Sequence, residues 1–248
     1  MQLLSELPLR TSYHKGKDDI AQDFYLPCMR RAIRYHRAVG YFRSTVFAVA
    51  WPALAQFVEQ GGKMQILCSH VLAGPDADAL YEGYDARQDE RIAAHFLEEV
   101  KVLIEEPNLR QPVRVLAALV ATGVIDLKVA VLTKAQRAGV DGRIFHDKLG
   151  IFEDGQGNTV VFDGSANETW NGLAADGHLE AVRIAVSWEG GRDLDRVSTE
   201  SAYFASMWND DYPGLSVRPL PKVARDELEH FASSDWQAEI QDCLTATH

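Results

Sequence analysis

The sequence predicts an α/β fold, a mixed β-sheet flanked by helices on both faces, with a C-terminal helical extension. Short apolar runs typical of buried strands alternate along the chain with segments of helical periodicity, which favours a layered sheet. Two of the runs flank a glycine-rich turn, GQGN at 155–158, as the strands of a β-hairpin do. The 248 residues, 46% of them hydrophobic, are enough to bury one sizeable core.

The same patterns, together with the prolines and glycines that interrupt them, predict the individual helices and strands. Pro27 is expected to kink the first helix because proline has no backbone donor, and the pair Gly61-Gly62 is expected to end the second. We expect helices at 18–37, 46–60, 90–105, 113–122, 194–209 and 222–231. We expect strands at 38–42, 64–69, 125–132, 143–152, 159–163 and 180–187, and an extended segment at 213–221. This order predicts a helical lead-in at 1–35, a main domain at 36–190 and an acidic helical extension at 191–248.

Charge is unevenly distributed along the chain. The net charge of −11 is unlike that of a simple DNA coat protein, which carries a basic surface. Residues 30–43 nevertheless hold five arginines and no acid, and residues 110–148 hold seven Lys/Arg against three Asp. From 189 onward, twelve acids face five bases. The middle of the chain therefore offers either a surface for a polyanion or solvated helix faces.

Composition also indicates the compartment. No apolar run approaches the roughly 20 residues of a membrane span, and the first residues lack the pattern of a signal peptide, so we expect a cytoplasmic protein without a membrane contact. The three cysteines are far apart and form no CxxC pair, which favours free thiols over a zinc site. The phosphate-binding pattern GxxxxGK[ST] is absent from the sequence, so any ATP-driven motor would be another subunit.

One stretch carries most of the chemistry, FHDKLGIFEDGQGNTVVFDGSANETWNGL at 145–173. Side chains two residues apart on a strand point to the same face, so His146 and Lys148 are expected to reach into one site. The hairpin turn then brings GSAN at 164–167 back towards them. This grouping of residues is unusual for packing alone.

These side chains suit the chemistry of a phosphodiester. A histidine can attack phosphorus when a carboxylate holds its tautomer, and Glu180 is the candidate for orienting His146. Lys148 supplies positive charge for the non-bridging oxygens, while Ser165 and Asn167 can donate hydrogen bonds to the same group. We expect neither a metal nor another cofactor.

HDK at 146–148 with GSAN at 164–167 resembles the HKD signature of the phospholipase D superfamily. The likeness covers residues 36–188 and includes the small one-motif nucleases and the phospholipase D-like modules found beside bacterial superfamily 2 helicases. Glu153 stands where the family has an aspartate, and His178 stands where it often has an asparagine. The longer turn EDGQGN accounts for the longer spacer before GSAN.

The resemblance implies a phospholipase D-like sheet and a role for each matched residue. His146 would form a phosphohistidine, Lys148 and Asn167 would bind the phosphate, Ser165 would support them, and Glu180 would partner the histidine. In the family a second histidine, from another copy of the motif, protonates the leaving group. Because only one HxK occurs among the eight histidines, the resemblance implies a homodimer with two motifs across one cleft.

Basic residues near the motif are the candidates for substrate binding, namely Lys134, Arg137, Arg143, Arg37 and Arg43. The first functional hypothesis is a metal-independent nuclease that cleaves nucleic acid, with DNA as the expected substrate, in a bacterial anti-phage defence or restriction system. A helicase or another defence-system subunit is the expected partner. The alternative is a non-catalytic DNA-binding or scaffold subunit of a helicase-containing complex, which Glu153 and His178 favour. Phospholipid hydrolysis is the weaker alternative.

Overall fold

A computed structural model describes residues 2–40, 46–69, 110–133, 145–165 and 180–219, with a few isolated positions after 219. Its strands are β1 (Ser12–His14), β2 (Arg34–Val39), β3 (Lys63–Ser69), β4 (Ile125–Leu132), β5 (Gly150–Glu153), β6 (Thr159–Gly164), β7 (Ala181–Val186) and β8 (Leu215–Pro219). They form one sheet in the order β1-β7-β6-β5-β2-β3-β4-β8. The pairs β2–β3 and β3–β4 are parallel and the others antiparallel, so the predicted mixed sheet is confirmed.

Within the described ranges the strands are accompanied by the α-helices α1 (Leu26–Arg31), α2 (Val46–Glu59), α3 (Arg110–Ala121) and α4 (Gly191–Trp208). The helices predicted at 46–60, 113–122 and 194–209 are confirmed within a few residues. The helix predicted at 90–105 lies outside the described residues, as does most of the one predicted at 222–231. In the described ranges, no helix combines the length and the apolar character needed to cross a bilayer.

The helix predicted at 18–37 is wrong over its last six residues. Helix α1 ends at Arg31, and the chain is already in β2 from Arg34 onward. Tyr35 favours the strand over the helix here because, on β2, its ring packs on Phe152 in the core at a centroid distance of 4.5 Å. Pro27 does not kink a long helix; it lies in the first turn of α1, where its missing N–H is not needed, directly after a wide π-helical turn at Ala21–Tyr25.

Two apolar clusters cover the two faces of the sheet. On the first face, residues from the lead-in, α1, α2 and α3 pack on inward-facing strand side chains such as Phe152 and Phe162. On the second face, α4 packs through Val197, Phe204, Met207 and Trp208. Helices therefore lie on both faces, as predicted.

The two segments that flank the main domain contribute to the same sheet. Strand β1 belongs to the lead-in and pairs with β7, while β8 belongs to the C-terminal extension and pairs with β4. The predicted boundary at 35/36 falls inside β2. Each flanking segment supplies an edge strand in addition to its helical residues, and the division into three units stays a prediction.

Candidate active site

Residues 145–149 lie alongside the end of β2. The backbone N–H of Ala38 donates to the carbonyl of Leu149 at 2.8 Å, and that of Gly40 donates to the carbonyl of Asp147 at 2.9 Å. The strand predicted from 143 therefore starts at Gly150, and the preceding residues continue its line as an extended segment outside the regular ladder. This ladder-like pairing holds the HDK sequence at the end of the sheet.

Alternation along this segment separates its side chains between the two faces. Phe145, Leu149 and Ile151 belong to the core cluster under α4, so His146 and Lys148, which alternate with them, face the other way. The Nζ atom of Lys148 lies 3.1 Å from Nδ1 and 3.0 Å from Nε2 of His146. A neutral imidazole has one protonated nitrogen, so only the other nitrogen can accept from the ammonium group.

Gly40 makes room for the His146 ring. A Cβ atom at this position would lie 2.4 Å from Cδ2 of His146, which is well inside van der Waals contact. The glycine in AVGYF was not singled out from the sequence. Its position at the end of a buried strand was the available signal, since glycine there often marks a close approach of the backbone to another group.

The surroundings of His146 favour the neutral form of its ring. Its partial burial and, after that, the Lys148 ammonium lower the pKa of His146, while Asp147 acts in the opposite direction. Burial and the Arg37 guanidinium lower the pKa of Lys148, opposed by Glu180 and Asp147. An unprotonated imidazole beside a lysine is an arrangement suited to nucleophilic attack on an anion.

Arg37 lies beneath the site and not on its surface. Its side chain is 1% exposed, one of its Nη atoms donates to the carbonyl of Lys148 at 3.0 Å, and its guanidinium lies 5.0 Å from the centre of the Phe162 ring. The expectation that Arg37 binds substrate directly does not fit this burial. Its contacts instead hold the main chain that carries Lys148.

Ser165 follows β6 and pairs with Ala181 at the start of β7, and Glu180 directly precedes that strand. The Ser165 N–H donates to the carbonyl of Ala181, and the Ala181 N–H donates to Ser165 Oγ, both at 3.2 Å. The Glu180 carbonyl accepts from the N–H of Lys15 at 2.8 Å. In the described part of the chain, Glu180 makes no hydrogen bond to the His146 ring, and its charge acts on Lys148. Its role as the partner of His146 stays a prediction.

Five of the predicted site residues lie outside the described residues, and their roles stay predictions: Asn167, Lys134, Arg137, Arg143 and Arg43.

Glu153, which stands where the resembled family has an aspartate, lies away from His146 and Lys148. Its carboxylate pairs with the guanidinium of Arg34 at the far end of β5. The next residue, Asp154, is 1% exposed and accepts hydrogen bonds from the N–H groups of Leu4, Gln156 and Asn158 and from Nδ2 of Asn158. The structural carboxylate of the hairpin is thus Asp154, which the sequence reasoning missed although Asx residues are frequent in turns.

A cavity of about 480 Å³ opens beside His146. Phe145 and Asp147 line it from the HDK segment, and Tyr203 and Tyr212 line it from α4 and the turn that follows. A larger depression of about 810 Å³ lies between the lead-in and β7, and no residue of the HDK segment lines it. The smaller cavity is the relevant one because it contacts the candidate nucleophile.

No protein-family model and no curated protein matches the chain. Solved structures similar to it include NucT from Helicobacter pylori, with 15% identity over 80% of this chain and 94% of that one and a TM-score of 0.46. A phospholipase D family member, Nuc from Salmonella typhimurium, has 14% identity over 84% and 95% and a TM-score of 0.43. Polyphosphate kinase from Porphyromonas gingivalis has 12% identity over 97% and 29% and a TM-score of 0.44.

Proposed function

We propose that the chain is a phospholipase D-type phosphodiesterase that cleaves nucleic acid, DNA in preference to RNA, without a metal ion. The observation that carries the proposal is the contact between His146 and Lys148 at 3.0–3.1 Å. It places a neutral imidazole and an ammonium group at one accessible point at the end of the sheet. A histidine used only for packing would have no need of such a neighbour.

In the first step, the unprotonated ring nitrogen of His146 attacks phosphorus. A nitrogen–phosphorus bond forms, the bond from phosphorus to one ester oxygen breaks, and that oxygen leaves with the bonding electron pair. The Lys148 ammonium turns from the ring to the non-bridging oxygens, where negative charge accumulates. Arg37 holds the Lys148 main chain during this movement through its bond to the carbonyl.

In the second step, water attacks the phosphohistidine. The nitrogen–phosphorus bond breaks, the imidazole is regenerated, and a phosphomonoester is released. The leaving oxygen of the first step needs a proton, which a second histidine would donate; in the second step the same histidine would take a proton from the water as the new phosphorus–oxygen bond forms. We propose that this histidine is His146 of a second copy of the chain, in a homodimer with two motifs across one cleft.

Nucleic acid is the proposed substrate because basic residues flank the motif in the sequence while the acids concentrate after 189. The roles of Lys134, Arg137, Arg143 and Arg43 in holding the phosphate backbone are part of this proposal. We further propose that the chain acts in a bacterial defence or restriction system and that a helicase subunit is its partner.

The test compares native protein with His146→Asn on end-labelled single- and double-stranded DNA and RNA in the presence of EDTA. His230→Asn, a change at an exposed histidine remote in sequence from the motif, is the matched control. We expect EDTA-resistant cleavage by native protein and control and a loss of at least about 10³-fold in His146→Asn. Acid quenching of a single turnover on substrate labelled at the scissile phosphate should destroy a protein-bound label that alkaline quenching preserves. Cleavage by His146→Asn at the native rate would remove His146 as the nucleophile.

Non-catalytic binding of nucleic acid is the second candidate function. The observation in its favour is that, among the described residues, no carboxylate is hydrogen-bonded to the His146 ring. Nucleic-acid binding that is equal in native protein and His146→Asn, without cleavage by either, would support it. Hydrolysis of lipid vesicles without cleavage of nucleic acid would instead point to the phospholipid reaction.

A further inference from the structure

The cavity beside His146 has a wall of aromatic side chains that the proposed reaction leaves unused. Tyr212 is 41% exposed, one of two large apolar side chains in the described ranges that remain exposed. Its ring meets that of Tyr203 edge to face at a centroid distance of 5.1 Å. An exposed aromatic face beside a nucleophile is a surface on which a planar group can stack.

Tyr203 is held in position by the motif itself. Its ring lines the same cavity as Asp147, and burial together with the Asp147 carboxylate raises the pKa of Tyr203. Asp147 also accepts from the N–H of Lys148 at 2.7 Å. The aromatic wall and the HDK segment are therefore connected through one carboxylate, so the wall is set at a defined position relative to His146.

Charge decides which part of a substrate enters the cavity. Asp147 places a carboxylate in its lining, which repels phosphate, whereas Lys148 lies on the opposite side of the extended segment and attracts it. An uncharged planar group with amino donors fits the aromatic and acidic lining. A volume of about 480 Å³ is within the usual range for small-ligand pockets.

We propose that this cavity is a nucleobase subsite, in which an unpaired base next to the scissile phosphate stacks on Tyr212 while its phosphate lies at His146 and Lys148. The inference rests on the proposed nuclease function and narrows its substrate to single-stranded nucleic acid. Bases in a duplex are paired and stacked on one another, so they are not free to enter the cavity.

The test compares cleavage of a single-stranded oligonucleotide with cleavage of the same oligonucleotide carrying one abasic position next to the cut. Base stacking on an aromatic side chain corresponds to about a 5- to 150-fold effect. We expect the native protein to prefer the intact oligonucleotide over the abasic one by a factor in this range. The preference should fall close to 1 in Tyr212→Ala and remain in Tyr212→Phe, which keeps the ring.

Leu194→Ala is the matched control because Leu194 is the other exposed large apolar residue and does not line the cavity. It should keep the native preference. An equal preference in native protein and Tyr212→Ala, or faster cleavage of duplex than of single strand, would overturn the subsite while leaving the nuclease function in place.

A binding measurement separates failure of the subsite from failure of the proposed function. Deoxyadenosine monophosphate and deoxyribose 5-phosphate differ only by the base, and calorimetry compares their affinities for native protein and Tyr212→Ala. Tighter binding of the nucleotide, with the advantage lost in the variant, supports the subsite even if no oligonucleotide is cut. Equal binding of both ligands by the native protein refutes it.

Discussion

The imidazole of His146 lies between a glycine backbone on one side and the Lys148 ammonium on the other. Each of these two contacts comes from a single residue. Gly40 provides space and Lys148 provides charge, so the two effects can be tested separately.

The acid limb of the pH–rate profile should report the His146 environment. Only the unprotonated ring attacks, so the rate rises with pH through a pKa that burial and Lys148 hold below the ordinary 6.5. In Lys148→Gln we expect a loss of about 10²–10³-fold in kcat. The limb should also move up towards 6.5, since the cation that lowered the pKa is gone. Lys222→Gln, at a lysine whose side chain is 90% exposed, should leave both quantities unchanged. A limb that stays in place in Lys148→Gln would contradict the assignment.

Gly40→Ala should reduce activity more than stability. The added methyl group overlaps the His146 ring, which is accessible and can move away, so the nucleophile is displaced. We expect a loss of about 10²-fold in kcat with a nearly native unfolding midpoint, because misplacement of about 1 Å has such effects. Gly62→Ala is the contrasting variant, since its methyl group meets the ring and backbone of Phe57. It should lower the midpoint, while activity per folded molecule stays native. A Gly40→Ala variant with a lowered midpoint and native activity per folded molecule would disprove this role of Gly40.

Sequence reasoning found His146 and Lys148 because a two-residue spacing has a direct geometric meaning on an extended chain. It misplaced Arg37 because an arginine in a basic run resembles a surface residue. The alternation of Tyr35, Arg37 and Val39 points all three to one face, and the Lys148 carbonyl and the Phe162 ring compensate the buried charge. Such compensation arises from residues more than 100 positions away, which local patterns do not contain.

At the scale of elements, the β5–β6 hairpin shows how a longer turn is accommodated. Register pairs Glu153 with Thr159, and Asp154 folds the intervening residues back by accepting backbone bonds. That this turn accounts for the longer spacer before GSAN stays a prediction.

Asp154→Ala should destabilise the whole protein. It removes the acceptor of four hydrogen bonds, one of them from Leu4 in the lead-in, and leaves buried N–H groups without partners. The free energy of unfolding should fall by about 2–4 kcal/mol in urea denaturation. Asp195→Ala on the exposed part of α4 is the control and should change it by less than about 0.5 kcal/mol. Equal effects of the two variants would show that the turn carboxylate is not structural.

At the scale of the whole molecule, the sheet joins segments that sequence patterns assigned to separate units. Helix α4 looked like an appendage because acidic residues surround its apolar positions. Its Phe204 ring stacks on His36 at 5.0 Å and on Trp208 at 5.9 Å, which makes it one side of the core. The class of fold was predictable from the alternation of elements, and β8 lies in the segment predicted to be extended, whereas β1 and the pairing of both edge strands were not predicted. They are short, and their pairing partners are distant in the sequence.

A chain truncated after Gly190 should therefore fail to fold. It would lack the four apolar side chains of α4 that cover the second face, each contributing about 1.5–3 kcal/mol, and would leave β4 without its outer neighbour. The sum is comparable with the total stability of a domain, about 5–15 kcal/mol. We expect no cooperative thermal transition and strong binding of a hydrophobic dye. A cooperative transition in the truncated chain would show that residues 191–248 are a separate unit.

The placement of β8 has a consequence for the protein during its synthesis. A nascent chain that has reached β7 already carries His146, Lys148 and Ser165, but it lacks α4 with Tyr203, the turn with Tyr212, and the strand that closes the sheet beyond β4. The elements that follow β7 cover one face of the sheet and build one wall of the cavity. A translation product that stops after β7 consequently contains the HDK sequence without the aromatic wall of the cavity beside it.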